Sequence, residues 1–191
     1  ADSKNDVSSR IHALWSLESL QYYEQSLVKK LLQSSVSDLR RETVRSLSSF
    51  RLEAPEMVTL LSPLIEDANP AIRAQVLTTL TTLSTPSLKV IELLVQACKP
   101  ELPGNDMGGS YERKFERFLA RKALEQWPNE LLDYLNSQET NQIPAFNALW
   151  AVQALPSEHR AKQFLKFWSA ARLTTIDEST FISMVHMLDH P

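Results

Sequence analysis

One apolar helix face recurs along this chain after 33 positions. When Arg40 is set over Arg73, Leu39 falls on Ile72, Val44 on Leu77, Leu47 on Leu80 and Phe50 on Leu83. Setting Arg10 over Arg40 likewise brings Leu14 onto Val44 and Leu17 onto Leu47. The string from Ala13 to Leu20 also matches the string from Ala148 to Leu155 position by position. Within each copy the apolar residues keep the spacing of an amphipathic helix. Self-similarity at a period of about 20–50 residues marks stacked supersecondary units, none of which can bury its apolar face alone. The fold this predicts is all-α, an α-solenoid of about five antiparallel helix pairs, forming a single domain over 1–191.

The rest of the sequence agrees with helices joined by tight turns. Glycine occurs only three times, always between 104 and 109, and the 43% of residues that are hydrophobic fall in Leu-rich runs rather than Val/Ile/Thr alternation, which disfavours a β protein. The spacing predicts helices at 8–20, 21–34, 38–50, 55–67, 70–83, 87–98, 111–127, 129–138, 144–155, 157–171 and 177–189. Pro55, Pro70 and Pro86 are expected in the first turn of their helices, where a missing N–H costs nothing. Ser37, Ser157 and the Thr175…Glu178 pair are expected to cap helix starts. Pro63, inside 55–67, should bend that helix. The one long link, 99–109, holds two prolines and all three glycines, so neither flanking helix can continue through it.

Asp67-Ala68-Asn69-Pro70-Ala71-Ile72-Arg73 resembles the turn within a HEAT repeat, in which an Asp and a hydrophobic-Arg pair let charges ladder between neighbouring turns. Ser34 and Lys4 stand at the Asp position of the aligned copies, so the ladder is expected to be incomplete. A narrower resemblance rests on Arg10 to Glu18 and on Tyr111 to Glu125, which look like the HEAT segment of large bacterial membrane-bound-dehydrogenase-like proteins. Those proteins join a sugar-dehydrogenase-like β-propeller, helical repeats and a c-type haem domain. The resemblance implies a periplasmic or secreted setting. The chain has no Cys-x-x-Cys-His and no run of short strands, so haem and dehydrogenase chemistry would lie outside these residues.

No motif carries catalysis, and no catalytic, cofactor-binding or metal-ligating residue is assigned. His186 and His190 could share a helix face with Asp189, but they lack further ligands. Ser110 follows Gly108-Gly109 without the strand that a nucleophile elbow needs. Cys98 is expected in the core, and Trp15, Trp127, Trp150 and Trp168 are read as core packing rather than the lining of a groove. The net charge of −3 offers no general field for nucleic acid or anionic lipid, and no apolar run has the length of a membrane span. The expected function is therefore a non-catalytic scaffold for contacts with another protein or with neighbouring domains. The alternative is a nucleic-acid-binding HEAT-like module of the DNA-glycosylase class. Arg113, Arg117 and Arg121 recur every four residues beside an apolar face of Tyr111, Phe115, Phe118, Leu119 and Trp127. Tyr111 with the three arginines, next to the 99–109 link, is the candidate partner-binding edge. The first helix has the second-helix pattern with no partner before it, so the chain reads as an excerpt of a longer array, with apolar end faces that could self-associate.

Overall fold

The computed structural model describes residues 6–100, 109–171 and 178–186, and the described residues are helical, without a strand. The α-helices are α1 (Val7–Ser19), α2 (Gln25–Leu32), α3 (Ser37–Ser46), α4 (Ala54–Leu61), α5 (Pro70–Leu80), α6 (Leu88–Ala97), α7 (Ser110–Leu124), α8 (Pro128–Asn136), α9 (Ala145–Ala151), α10 (Ser157–Ala171) and α11 (Glu178–His186). Each predicted helix has a counterpart. Several ends tighten into 3₁₀ turns, at Leu47–Ser49, Ser62–Leu64 and Val152–Ala154. None of the described helices is long and apolar enough to cross a membrane.

Four local expectations need correction. Pro63 does not bend a continuing helix: α4 stops at Leu61, and the chain passes through a 3₁₀ turn containing the proline, where its missing N–H breaks no longer-range ladder. Pro86 lies ahead of α6, which begins at Leu88, whereas Pro55 and Pro70 do occupy first-turn positions. Ser37 is already helical, and the cap position of α3 is Val36, with no side-chain bond. The start of α2 shifts to Gln25 because the Glu24 carboxylate accepts the N–H groups of Ser26 and Leu27. Thr175 of the proposed capping pair lies outside the described residues.

Two compact units divide the chain, residues 1–87 and 88–191. In the first unit, α3 packs against α1, α2 and α5. The aligned pairs Leu39/Ile72, Val44/Leu77, Leu47/Leu80 and Phe50/Leu83 are all buried, so the sequence period is a period of the core. Leu14, Leu31 and Leu39 form one cluster, flanked by Ile11, Leu27 and Val36. In the second unit, α6 packs against α7, α8 and α9, and α10 packs against α9. Six of the ten residues of α6 are buried, a face too wide for a surface helix.

A recurrent device fastens helix starts. Arg40 Nη1 donates to Ser34 O at 2.7 Å, and Arg73 Nη1 donates to Asp67 O at 2.6 Å. Arg160 Nη2 donates to Leu155 O at 2.9 Å. Each arginine is the fourth residue of its helix, α3, α5 and α10, and each folds back over the preceding turn to satisfy a carbonyl there. Arg40 also grips Asp67 through two bonds of 3.0 Å, from Nε and Nη2. Arg10 is the fourth residue of α1, and its Nε is buried without a hydrogen-bond partner among the described residues. The place of Asp67 is taken by Ser34 in that register.

At the end of α1 the chain turns through Gln21 with φ at 53°. Tyr22 N–H donates to Leu17 O at 2.9 Å and closes the turn, in the geometry that favours glycine at the left-handed residue. Gln21→Gly should therefore raise stability by about 0.5 kcal/mol, read as a higher urea midpoint.

Candidate functional site

The helix α7 carries the predicted arginine series, and the structure separates its members. Arg113 is only 8% exposed, and its Nη1 pairs with Glu116 Oε2 at 2.8 Å. It is the fourth residue of α7, the position where Arg10, Arg40, Arg73 and Arg160 stand in their helices. This arginine thus belongs with the helix-start residues and does not continue an exposed stripe. Arg117 and Arg121 lie one and two turns further on, the first reaching α9 and the second the 3₁₀ turn that follows it. The Arg117 guanidinium lies 4.1 Å from the centroid of the Trp150 ring, and its Nη1 donates to Lys99 O at 3.1 Å. Arg121 Nη1 approaches Gln153 Oε1 at 3.5 Å, its guanidinium lies 5.7 Å from the Phe118 ring, and its Nε is 3.3 Å from Glu125 Oε1.

These side chains enclose a hollow of about 270 Å³ lined by Lys114, Arg117, Phe118, Arg121, Trp150 and Gln153. Cys98 is buried nearby, and burial pushes its thiol up to about 12 despite the opposing fields of Arg117 and Arg121. Its Sγ donates to Leu94 O at 3.5 Å, the behaviour of a small core residue. Beside the hollow, α7 exposes a ridge of three aromatics. Tyr111 is 78% exposed, and Phe115 and Phe118 are each 46% exposed. Of the apolar face expected on this helix only Trp127, past its end, is buried. The reason lies in the neighbours: α7 packs on α6 and α9 through Arg113, Glu116, Ala120, Ala123 and Leu124, which leaves the aromatic positions on the outer side.

Core packing holds for Trp127 but fails for Trp15, which is 42% exposed. Trp15 stacks obliquely on His12 and donates its indole N–H to Glu42 Oε2 at 3.2 Å. It belongs to a charged network on α1 and α3, in which Glu18 takes Arg45 through both guanidinium ends. Arg45 also reaches Glu42 at 2.9 Å, and Ser49 donates to Glu18. The hydrogen bonds from Arg45 hold the Glu18 carboxyl below the ordinary carboxylate range. Trp150 and Trp168 are partly covered, and Trp168 stacks on Phe164.

The remaining candidates gather no chemistry. Among the described residues there is no group of three His, Cys, Asp or Glu side chains placed to hold a metal. His186 is exposed on α11, and Asp189 and His190 lie outside the described residues. Ser110 opens α7 directly after Gly109, with no strand before it among the described residues. Residues 101–108 of the long link lie outside them as well. No family model matches this chain, and neither the curated proteins nor the solved structures include a significant match.

Proposed function

We propose that this chain is a non-catalytic helical-repeat scaffold of the HEAT type that presents the α7 edge to another protein or to a neighbouring domain of its own chain. The observation that carries this reading is the solvent-facing ridge of Tyr111, Phe115 and Phe118 beside Arg117 and Arg121. Aromatics and arginines are the side chains enriched where proteins bury one another, and clustered exposed aromatics are otherwise a liability. Support for a solenoid comes from the aligned core pairs, from α3 packing against both α1 and α5, and from the Arg40–Asp67 pair joining successive turns. The dehydrogenase resemblance would place the scaffold between a propeller and a haem domain, outside the cytoplasm.

A photo-crosslinking residue at position 115, with position 130 on α8 as the control, tests the reading in the cell of origin. The expected result is a protein adduct at 115, none at 130, and loss of the adduct when Tyr111 and Phe118 become serine. An adduct with nucleic acid, or equal labelling at both positions, would remove the proposal. The interleaving of aromatic and basic side chains on α7 also favours the second reading, a nucleic-acid-binding HEAT-like module of the DNA-glycosylase class. That reading demands oligonucleotide binding that weakens steeply as salt rises.

A further inference from the structure

We infer that the hollow formed by α7 and α9 receives an acidic side chain of a protein partner, whose carboxylate does there what Glu18 and Glu42 do around Trp15. This rests on reading the chain as a scaffold for protein contacts. The repeated string makes Trp150 the counterpart of Trp15, and Gln153 the counterpart of Glu18. Around Trp15, donors and carboxylates are matched: the indole N–H has Glu42, and Arg45 has Glu18. Beside Trp150 the described residues that line the hollow include no carboxylate. Trp150 Nε1 is buried without a hydrogen-bond partner among the described residues, and Arg121 Nε has only Glu125 Oε1, at 3.3 Å. Position 153 is an amide, and it meets Arg121 only at the limit of hydrogen bonding, 3.5 Å. Glu125 reaches Arg121 as a half-exposed ion pair, an interaction of little strength. A carboxylate entering the hollow would meet the Arg117 and Arg121 guanidinium groups that line it, in the charge-assisted contact that planar guanidinium favours.

Charge, shape and rigidity point the same way. The described lining includes three cationic side chains and no carboxylate. Arg117 is stacked on Trp150 and Arg121 lies near Phe118, so both guanidinium planes are oriented before a ligand arrives, and less side-chain freedom is lost on binding. A volume of about 270 Å³ lies below the usual range of about 300–1,000 Å³ for small-molecule pockets and suits one side chain. The neighbouring aromatic ridge would take an apolar residue next to the acidic one. A nucleobase is a poorer occupant, because Arg117 already covers the Trp150 ring and base stacking needs a bare aromatic face.

The test follows the indole N–H resonance of Trp150, assigned with Trp150→Phe, while a short capped peptide alternating glutamate and leucine is added. The resonance should move saturably, the same peptide with glutamine should leave it in place, and affinity should fall as salt rises. Arg121→Gln should weaken binding by about tenfold, while Lys122→Gln on the same helix should leave it unchanged. Gln153→Glu provides a resident carboxylate, so it should keep the fold and also lose about tenfold in affinity. The inference is overturned by an unmoved indole, an equal response to the glutamine peptide, or undiminished affinity in Gln153→Glu. Tighter binding of inorganic phosphate or oligothymidylate than of the acidic peptide would equally overturn it. A protein adduct at position 115 together with a silent indole would keep the scaffold and discard the carboxylate receptor.

Discussion

Asp67→Ala is expected to lower the stability of the first unit by about 3 kcal/mol, the scale for removing one partner of a desolvated ion pair. Both side chains of the Arg40–Asp67 pair are well covered, at 17% and 8% exposure. The carboxylate also accepts the N–H of Asn69 at 2.8 Å, so its loss strands a guanidinium and opens the turn that starts α5. Urea unfolding followed by circular dichroism measures the change. The double variant Arg40→Met, Asp67→Leu should recover most of the loss, because no charge is then left without its partner. A single variant within about 0.5 kcal/mol of the parent, the scatter of ordinary surface substitutions, would mean that the pair does not join successive turns.

Leu149→Ala should cost about 4 kcal/mol, and Leu14→Ala about 2 kcal/mol, although the two leucines occupy the same place in the repeated string. Leu149 is fully buried on α9, which packs against α6, α7 and α10. Truncating it leaves a cavity that several helices hold open. Leu14 is 5% exposed on α1, whose main neighbour is α3, so the surroundings can relax into the space. Thermal or urea unfolding of both variants gives the comparison. Equal losses would show that the local string, and not the coverage of the helix, sets the energy.

That pair also shows what the sequence could and could not reveal. Periodicity located the helices and the inward-facing leucines, because apolar spacing marks the side of a helix that can pack, although on α7 the marked aromatic side stays exposed. It could not report how many neighbours cover a helix. Trp15 and Trp150 share their string, yet one faces solvent beside Glu42 and the other lies beneath Arg117. The arginines of α7 teach the same lesson. Spacing by four places Arg113, Arg117 and Arg121 on one stripe, but Arg113 obeys a different rule that was present in the sequence: an arginine at the fourth helical position, seen also at 10, 40, 73 and 160. That rule becomes visible only when helix starts are known to the residue. The hollow itself depended on Gln153 and Trp150, which approach α7 through tertiary packing alone.

Cys98 has a consequence of another kind. It is the single thiol of the chain, it lies in the second unit, and it is 1% exposed with its acidity suppressed. An alkylating reagent can therefore reach it only in those moments when α6 comes away from its neighbours, and the first unit contributes no background. The protein carries its own clock for the opening of one half: the rate of thiol capture, read by mass, reports how often that half breathes, and the rate would slow if a partner seated on α7 held the helices together.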